Sequence, residues 1–213
     1  MKLDKNSMLL YVVTDRTWLG ENSLLMQVEQ AIKAGATVIQ LREKNLAFDE
    51  FLKLAAEVKK ITDKYKVLFI INDNVDVAVA VKADGVHIGQ SDEEIIIARE
   101  KLGFSKIIGL SVHSVEEAIK AEKSGADYIG VGAVFNTSTK HDANTITFET
   151  IKDICQTVNL PVVAIGGISK DNILKLSGSG INGVAVISAI FAQPDITKAT
   201  SEILQLSKQI ANS

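Results

Sequence analysis

Polar and cationic side chains recur at alternate positions in the stretch Val38-Ile39-Gln40-Leu41-Arg42-Glu43-Lys44. If this stretch is a β-strand, alternation sends Gln40, Arg42 and Lys44 to one side and Leu41 and Glu43 to the other. The planar fork of an arginine grips phosphate or carboxylate, and a lysine adds a point charge beside it. The end of this strand therefore has the chemistry of an anion-binding site, although an ordinary strand end at the surface could carry the same residues.

Two carboxylates follow two later apolar runs, Asp73 directly after Asn72 and Asp92 directly after Gln90-Ser91. Magnesium takes one or two protein carboxylates and fills its remaining positions with water and substrate phosphates. Either aspartate alone is better explained as a helix N-cap. The presence of both near the cationic strand end favours a metal-bound diphosphate, so the sequence predicts a Mg²⁺ site here.

Three further polar segments lie at the ends of the later apolar runs. Ser111 ends the fifth run, where a hydroxyl can donate a hydrogen bond to a substrate or serve only as a turn residue. The loop Thr137-Ser138-Thr139-Lys140 suits a lid over an anionic substrate, but it equally suits a solvated surface loop. Gly166-Gly167 and Ile187-Ser188 end the last two runs, and glycines let backbone N–H groups approach a phosphate closely.

These polar residues end short Val-, Ile- and Leu-rich runs that alternate with amphipathic stretches, the pattern of a parallel sheet covered by helices. Eight runs are predicted as strands, near residues 9–14, 37–42, 67–72, 85–88, 107–111, 128–131, 162–165 and 183–187. Helix-ending glycines recur just before strands at Gly35, Gly125 and Gly180. Eight units in 213 residues, roughly 27 each, predict one (β/α)₈ TIM barrel spanning residues 1–213. An open doubly wound sheet is disfavoured because its G-x-G-x-x-G fingerprint does not follow the first strand.

The predicted barrel gathers the polar residues at one face, because its active site lies at the C-terminal ends of the strands. In this architecture the loops after strands seven and eight form the usual phosphate site. The sequence therefore predicts two anion sites in one cavity. One would hold a diphosphate around strands two to four, and the other would hold a monophosphate at strands seven and eight.

Composition narrows the class of protein. The net charge of −3 argues against broad nucleic-acid binding. No apolar run approaches the roughly 18 residues of a membrane span, and the N-terminus carries no apolar signal segment, so a cytoplasmic protein is expected. The single cysteine, Cys155, excludes an internal disulfide and lies on the apolar stripe of a helix. His87 and His113 lack the third ligand that a zinc site requires. The sequence is compatible with a homo-oligomer.

Taken together, these segments resemble the thiamine phosphate synthase family over nearly the whole chain. The resemblance is carried by Tyr11-Val12-Val13-Thr14-Asp15, Gln40-Leu41-Arg42-Glu43-Lys44, Asn72-Asp73, Ala83-Asp84-Gly85-Val86-His87-Ile88-Gly89-Gln90, Gly109-Leu110-Ser111, Thr137-Ser138-Thr139-Lys140, Ile165-Gly166-Gly167-Ile168 and Val186-Ile187-Ser188. Members of this family join an aminopyrimidine methyl diphosphate to a thiazole ethyl phosphate, which gives thiamine phosphate and diphosphate. The resemblance thus implies a TIM-barrel transferase with two phosphorylated small-molecule substrates.

The resemblance also assigns a role to each predicted site residue. The pyrimidine diphosphate would be bound by Gln40, Leu41, Arg42, Glu43, Lys44 and Asn72, with Ser111 beside the pyrimidine ring. Mg²⁺ would be held by Asp73 and Asp92. The lid would comprise Thr137, Ser138, Thr139 and Lys140, and the thiazole phosphate would be bound by Gly167, Ile187 and Ser188. The catalytic residues would be Arg42, Lys44, Ser111 and Lys140. The three cationic side chains among them would act with Mg²⁺ to stabilise the departing diphosphate.

Two positions depart from the pattern of the family, and two rival functions remain. Ala133 stands where a proline is expected and Thr147 where a glycine is expected, and both positions concern the geometry of the lid. The closest rival is the related thiazole tautomerase, because Ser111-Val112-His113-Ser114 resembles the segment with its catalytic histidine. That isomerase needs no metal-bound diphosphate. A non-catalytic barrel that senses a phosphorylated metabolite is the second rival, and it would be expected to lack the metal carboxylates or the lid lysine.

Overall fold

Eight parallel strands pair in chain order and close on themselves, so that β1 pairs with both β2 and β8. The computed structural model describes residues 3–20, 22–89, 92–136 and 145–211, and it describes only the backbone of residues 92–94. The strands are β1 (Leu10–Val13), β2 (Val38–Leu41), β3 (Leu68–Asn72), β4 (Gly85–Ile88), β5 (Ile107–Val112), β6 (Tyr128–Gly132), β7 (Val162–Ile165) and β8 (Gly183–Val186). The predicted TIM barrel is confirmed.

Helices cover the outside of the barrel. They are α1 (Leu24–Lys33), α2 (Phe48–Tyr65), α3 (Val75–Ala80), α4 (Asp92–Leu102), α5 (Val115–Lys123), α6 (Phe148–Thr157), α7 (Ser188–Phe191) and α8 (Ile196–Ala211). Between β7 and β8 the chain forms only a short 3₁₀ helix, Ile173–Leu176. The short helix α7 begins at Ser188, almost directly after β8. Within the described residues, no helix is long and apolar enough to cross a membrane.

The strands are buried on both faces because one face lines the barrel and the other packs under helices. Residues inside the barrel form a small cluster that includes Tyr11, Val38, Ile70, Tyr128 and Val163. A much larger apolar cluster fills the layer between the strands and the helices. The near-continuous Val and Ile runs of the sequence are explained by this double burial.

Serine hydroxyls cap the starts of two helices, and glycines with positive φ follow the ends of the same two helices. The Ser23 hydroxyl accepts a hydrogen bond from the Met26 N–H at the start of α1, and Ser114 accepts one from the Glu117 N–H at the start of α5. Gly35 and Gly125 have positive φ just after α1 and α5. The Glu117 carboxylate accepts a hydrogen bond from the His113 N–H at 2.6 Å, just before the start of α5.

Four strand pairs are joined by the same two-point contact at the N-terminal end of the barrel. The residue just before each even-numbered strand donates its N–H to the carbonyl of one residue in the preceding strand. Its side chain then accepts a hydrogen bond from the N–H of that strand residue. We call these contacts strand clamps. The clamps are Thr37 on Leu10, Asp84 on Phe69, Asp127 on Ile108 and Asn182 on Val162, with side-chain bonds of 3.0, 2.8, 2.8 and 2.9 Å. Three of the four follow the recurring glycines of the sequence, and Lys82 adopts a positive φ of 54° in the fourth.

Candidate active site

A cavity of about 640 Å³ opens at the C-terminal ends of the strands. Its wall brings together predicted site residues from five strand ends: Gln40, Arg42, Lys44, Asn72, Asp73, Ser111, Gly167, Ile187 and Ser188. Tyr11, Val163 and Ala185 close the cavity from below. This placement agrees with the general rule that the C-terminal face of a TIM barrel carries the active site.

The end of β2 presents a positively charged surface to the cavity. The Arg42 N–H donates to Thr14 Oγ1 at 3.1 Å, which ties this segment to the end of β1. A guanidinium nitrogen of Arg42 lies 3.8 Å from Asp15 Oδ2, which is beyond hydrogen-bond length, so its donors are not all engaged by Asp15. Lys44 forms no ion pair with any residue that the structure describes. The two cations are therefore available to an anionic ligand.

The structure does not bring Leu41 and Glu43, the other two residues of this segment assigned to the pyrimidine diphosphate, to the cavity wall. Strand alternation is the reason, since both side chains point to the opposite side of β2. Leu41 is fully buried in the layer beneath the helices. Glu43 lies 4.0 Å from Arg16, and its Oε1 has no hydrogen-bond partner within the described part of the chain. Burial raises the pKa of the Glu43 carboxyl above its ordinary value, and the nearby Arg16 opposes this shift.

The end of β3 places an exposed carboxylate at the edge of the cavity. Asp73 adopts a left-handed conformation with φ 60°, and its N–H donates to the His87 carbonyl at 2.9 Å. The Asn72 amide also donates to that carbonyl, at 3.3 Å, so the turn after β3 is held against β4. Asn and Asp tolerate this region of φ better than most residues. Asp73 is therefore held by its backbone rather than by a helix cap.

The donor chemistry fits a magnesium ion, although the described residues hold no group of three or more His, Cys, Asp or Glu side chains. Mg²⁺ needs only one or two protein carboxylates, because water and substrate phosphates complete its coordination. Asp73 supplies one carboxylate beside the cationic wall. Asp92 begins α4, as expected from the sequence, but its side chain lies outside the described residues.

The predicted lid residues Thr137, Ser138, Thr139 and Lys140 lie outside the described residues. Before this loop the described chain is anchored to the end of β7, and after the loop it is anchored to the segment that follows β6. Phe135 donates its N–H to the Gly166 carbonyl at 3.0 Å, and Ile146 donates to the Ala133 carbonyl at 2.9 Å. Thr147, one of the two departures from the family pattern, caps α6 by accepting from the Thr150 N–H at 3.1 Å. A helix start thus explains the threonine at this position.

Gly166 and Gly167 lie at the end of β7, opposite the cationic wall. Both have positive φ, and a Cβ on Gly167 would collide with the carbonyls of Phe135 and Asn136. A Cβ on Gly166 would lie 2.6 Å from the Cβ of Ala133. The glycines are therefore required by the close approach of the segment after β6. Ser188, the first residue of α7, lines the cavity next to them, because β7 and β8 are paired strands.

A hydrogen-bond chain across the floor of the cavity was not anticipated from the sequence. Tyr11, Tyr128 and His87 connect Gln40 on β2 with Ser111 on β5. Burial raises the pKa of both phenols, so they stay protonated. Glycines inside strands are a signal that could have revealed these rings, because a glycine there often marks close approach of another group. A Cβ on Gly109 would overlap the Tyr128 ring, and one on Gly130 would lie 3.1 Å from His87.

His113 also lines the cavity, on the side opposite to β1. Its Nδ1 lies 3.3 Å from a carboxylate oxygen of Glu117, one turn along α5. The side chain is 45% exposed, so it lies at the mouth of the cavity and outside the buried floor chain.

Comparison with known proteins gives one consistent family. A model described as thiamine monophosphate synthase matches residues 10–190. The thiamine-phosphate synthase of Clostridium acetobutylicum is 52% identical over 187 residues, which cover 88% of this chain and 89% of that protein. Thiamine-phosphate synthase 2 of Streptococcus pneumoniae is 46% identical and covers 95% of this chain and 97% of its own. The solved structure of thiamine phosphate pyrophosphorylase from Pyrococcus furiosus superposes with a TM-score of 0.88 at 43% identity, covering 97% and 98% of the two chains.

Proposed function

The chain belongs to the thiamine monophosphate synthase family and is a transferase of thiamine biosynthesis, and on this premise we propose how its cavity performs the reaction. The aminopyrimidine methyl diphosphate binds with its diphosphate on Arg42 and Lys44, and the thiazole ethyl phosphate binds with its phosphate at Gly167 and Ser188. The C–O bond between the pyrimidine methylene and the diphosphate breaks, and the thiazole nitrogen forms a C–N bond to the same carbon. Thiamine phosphate and diphosphate are the products.

One observation supports this proposal, namely that the wall of one cavity contains two cationic side chains and, at a separate place, a glycine turn beside a helix start. Arg42 and Lys44 form the first wall, and the glycine turn after β7 with the first residue of α7 forms the second. Backbone N–H groups at a glycine turn and a helix start suit a phosphate, whereas the arginine fork suits a diphosphate. A cavity of about 640 Å³ has room for two heterocycles between the walls.

The chemistry that these residues supply is electrostatic. As the C–O bond breaks, negative charge grows on the leaving diphosphate and positive charge grows on the pyrimidine methylene. Arg42 and Lys44 stabilise the first charge, and Lys140, which the sequence assigns to the diphosphate, would add a third cation. Mg²⁺ held by Asp73 and Asp92 would neutralise further charge on the same group. Alignment of the two rings supplies much of the remaining rate advantage, so no protein nucleophile is required.

Release of diphosphate tests the proposal directly. The protein is mixed with both substrates and Mg²⁺, and diphosphate and thiamine phosphate are measured together. Equal amounts of the two products are expected. A protein that releases neither product would overturn the proposal, and diphosphate without thiamine phosphate would reduce the enzyme to a hydrolase.

A matched pair of variants tests the cationic wall. Arg42→Lys keeps the charge but loses the planar fork, so kcat/KM for the pyrimidine diphosphate should fall roughly 10- to 100-fold, as for one or two charge-assisted hydrogen bonds of about 1.5–3 kcal/mol. Arg16→Lys is the control, because Arg16 is exposed, lies next to Glu43 and does not line the cavity. Equal effects of the two substitutions would remove Arg42 from the diphosphate site.

A further inference from the structure

Five side chains from five strands form one continuous hydrogen-bond chain under the cavity. Gln40 Nε2 donates to the Tyr11 hydroxyl at 2.8 Å, and the Tyr11 and Tyr128 hydroxyls lie 2.7 Å apart. The Tyr128 hydroxyl lies 2.9 Å from His87 Nδ1, and His87 Nε2 lies 3.1 Å from Ser111 Oγ. Gln40 and Ser111, at the two ends, line the cavity. We call this arrangement the floor chain.

The position of each proton in the floor chain follows from the Gln40 amide, which is the donor at one end of the chain. Tyr11 accepts from Gln40, and within the described residues its hydroxyl has only one other partner, Tyr128, so Tyr11 donates to Tyr128. Tyr128 then donates its own proton to His87 Nδ1. A neutral imidazole with an acceptor at Nδ1 carries its proton at Nε2. His87 therefore donates to Ser111, and the Ser111 proton points away from His87.

The surroundings hold this arrangement in place. Tyr11 and Tyr128 are 2% and 1% exposed, so water has little access to compete with their hydrogen-bond partners. The two rings pack with centroids 5.8 Å apart, and His87 packs on Tyr128 at 5.5 Å. Gly109 and Gly130 leave the space that these rings occupy. Both phenols are kept in their neutral form by burial, so each has one proton to donate.

We propose that His87 is a positioning residue for the pyrimidine. Because every hydrogen bond of the floor chain points from Gln40 towards Ser111, the Ser111 hydroxyl is left to donate to the substrate and Gln40 Oε1 is left to accept from it. This inference rests on the proposed pyrimidine substrate, and it explains how the enzyme would distinguish an aminopyrimidine from an oxopyrimidine. An aminopyrimidine offers a donor, its amino group, and acceptors, its ring nitrogens. The corresponding oxopyrimidine replaces the amino donor by a carbonyl acceptor and protonates the adjacent ring nitrogen, so its pattern opposes that of the floor.

Nitrogen NMR of the ligand-free protein tests the proton positions without reference to activity. With labelled histidine at pH ~8, above the ordinary histidine pKa of ~6.5, the His87 ring is expected to carry its proton at Nε2. His113→Gln and His141→Gln identify the His87 signals by elimination. A proton at Nδ1 in the wild type would overturn the proposal.

Gln40→Glu provides a sharper test, because the introduced carboxylate can only accept from Tyr11 when it is ionised. Tyr11 would then donate to it, Tyr128 would donate to Tyr11, and His87 would donate from Nδ1 to Tyr128. The His87 proton is therefore expected to move to Nδ1 although the substitution lies three hydrogen bonds away. Tyr128→Phe interrupts the chain and should give a mixture of both tautomers. If His87 keeps one tautomer in both variants, the floor chain does not control it.

Substrate selection provides the functional readout. The wild type should prefer the aminopyrimidine diphosphate to its oxo analogue by at least tenfold in kcat/KM, and Tyr128→Phe should lose most of this preference with an unchanged KM for the thiazole phosphate. Tyr65→Phe is the control, because its hydroxyl contacts only surface groups near Glu29. An unchanged preference in Tyr128→Phe would refute the selection mechanism. A wild type that makes no thiamine phosphate would instead refute the proposed function, and the NMR result would still decide the direction of the chain.

Discussion

At the scale of single residues, the backbone of Asp73 decides which substitution is informative. Its left-handed φ of 60° is acceptable to Asn, whereas Ala would add strain in addition to removing the carboxylate. Asp73→Asn should therefore leave the melting temperature nearly unchanged. It should lower kcat/KM at least about tenfold, ~1.4 kcal/mol, and raise the Mg²⁺ concentration needed for half-maximal activity.

Steady-state kinetics over a range of Mg²⁺ concentrations, with excess chelator as the endpoint, measures this change. Chelation should abolish turnover in the wild type. Asp76→Asn is a suitable control, because Asp76 forms a surface pair with Lys101 on the outer helices. The same Mg²⁺ dependence in wild type and Asp73→Asn would argue that Asp73 is no metal ligand.

Glu43 gives a prediction about pH. Burial raises its pKa, so the folded state disfavours the charged form that the unfolded chain adopts above an ordinary carboxyl pKa of ~4.3. The wild type therefore loses stability relative to Glu43→Gln as the pH rises through this raised pKa. In thermal unfolding between about pH 4 and pH 7, the melting temperature of Glu43→Gln should rise relative to that of the wild type as the pH increases.

Glu29 is the control of opposite sign. Hydrogen bonds from Tyr65 and Lys64 lower the Glu29 pKa to about 2. Its stabilising effect is thus present above the ordinary carboxyl pKa and is lost as the pH falls towards 2. The melting temperature of Glu29→Gln should therefore fall behind that of the wild type as the pH rises from about 2 to about 5. Parallel curves for the two variants would contradict both assignments.

At the scale of elements, the turn after β7 and the segment after β6 interlock. A Cβ on Gly167 would meet the carbonyls of Phe135 and Asn136, just before the predicted lid. Gly167→Ala should therefore displace that segment, lower kcat at least about tenfold and cost more stability than the ~1–2 kcal/mol of a left-handed alanine. Gly178→Ala is the control, because it measures only the cost of a left-handed alanine backbone. Gly178 has φ +78° and no atom within 4 Å of its Cβ position. Thermal unfolding and kinetics that match in the two variants would show that the interlock has no role.

Several elements could be predicted from the sequence because their signals are local. Ser23 and Ser114 start helices through contacts three residues away, and apolar periodicity identifies strands such as β3. The segment between β7 and β8 is different. There the expected helix is reduced to a 3₁₀ turn at Ile173–Leu176, and no local pattern distinguishes a short turn from a full helix in so short a connection.

At the scale of the whole molecule, the strand clamps fix the pairing of the strands. Asp84→Ala would leave the Phe69 N–H without its side-chain acceptor, and an unmet buried donor costs roughly 1–3 kcal/mol. Denaturant unfolding should show a loss of that size. Asp76→Ala is the comparison, since an exposed ion pair contributes about 1 kcal/mol or less. A loss for Asp84→Ala no greater than that for Asp76→Ala would mean that the clamp adds nothing to stability.

Long-range contacts mark the limit of what could be inferred from this sequence. Alternation along β2 predicted that Gln40, Arg42 and Lys44 lie on one side. The rule that TIM-barrel active sites lie at the C-terminal ends of the strands then predicted that they share a cavity with the other strand ends. The floor chain could not be found in this way, because Tyr11 and Tyr128 meet across 117 residues of sequence. Each tyrosine alone has the pattern of an ordinary core residue. Only closure of the barrel makes them partners.

The pairing of β1 with β8 has a consequence for the order in which the molecule acquires its activity during synthesis. The cationic wall comes from the second strand and the phosphate wall from the last two, and they face one cavity only because the first and last strands meet. A nascent chain that has not yet emerged beyond Ser188 lacks one wall and has no closed barrel. A chain that ends before Ser188 is therefore expected to lack the proposed site for two substrates, because neither the closed barrel nor the second wall can form in it.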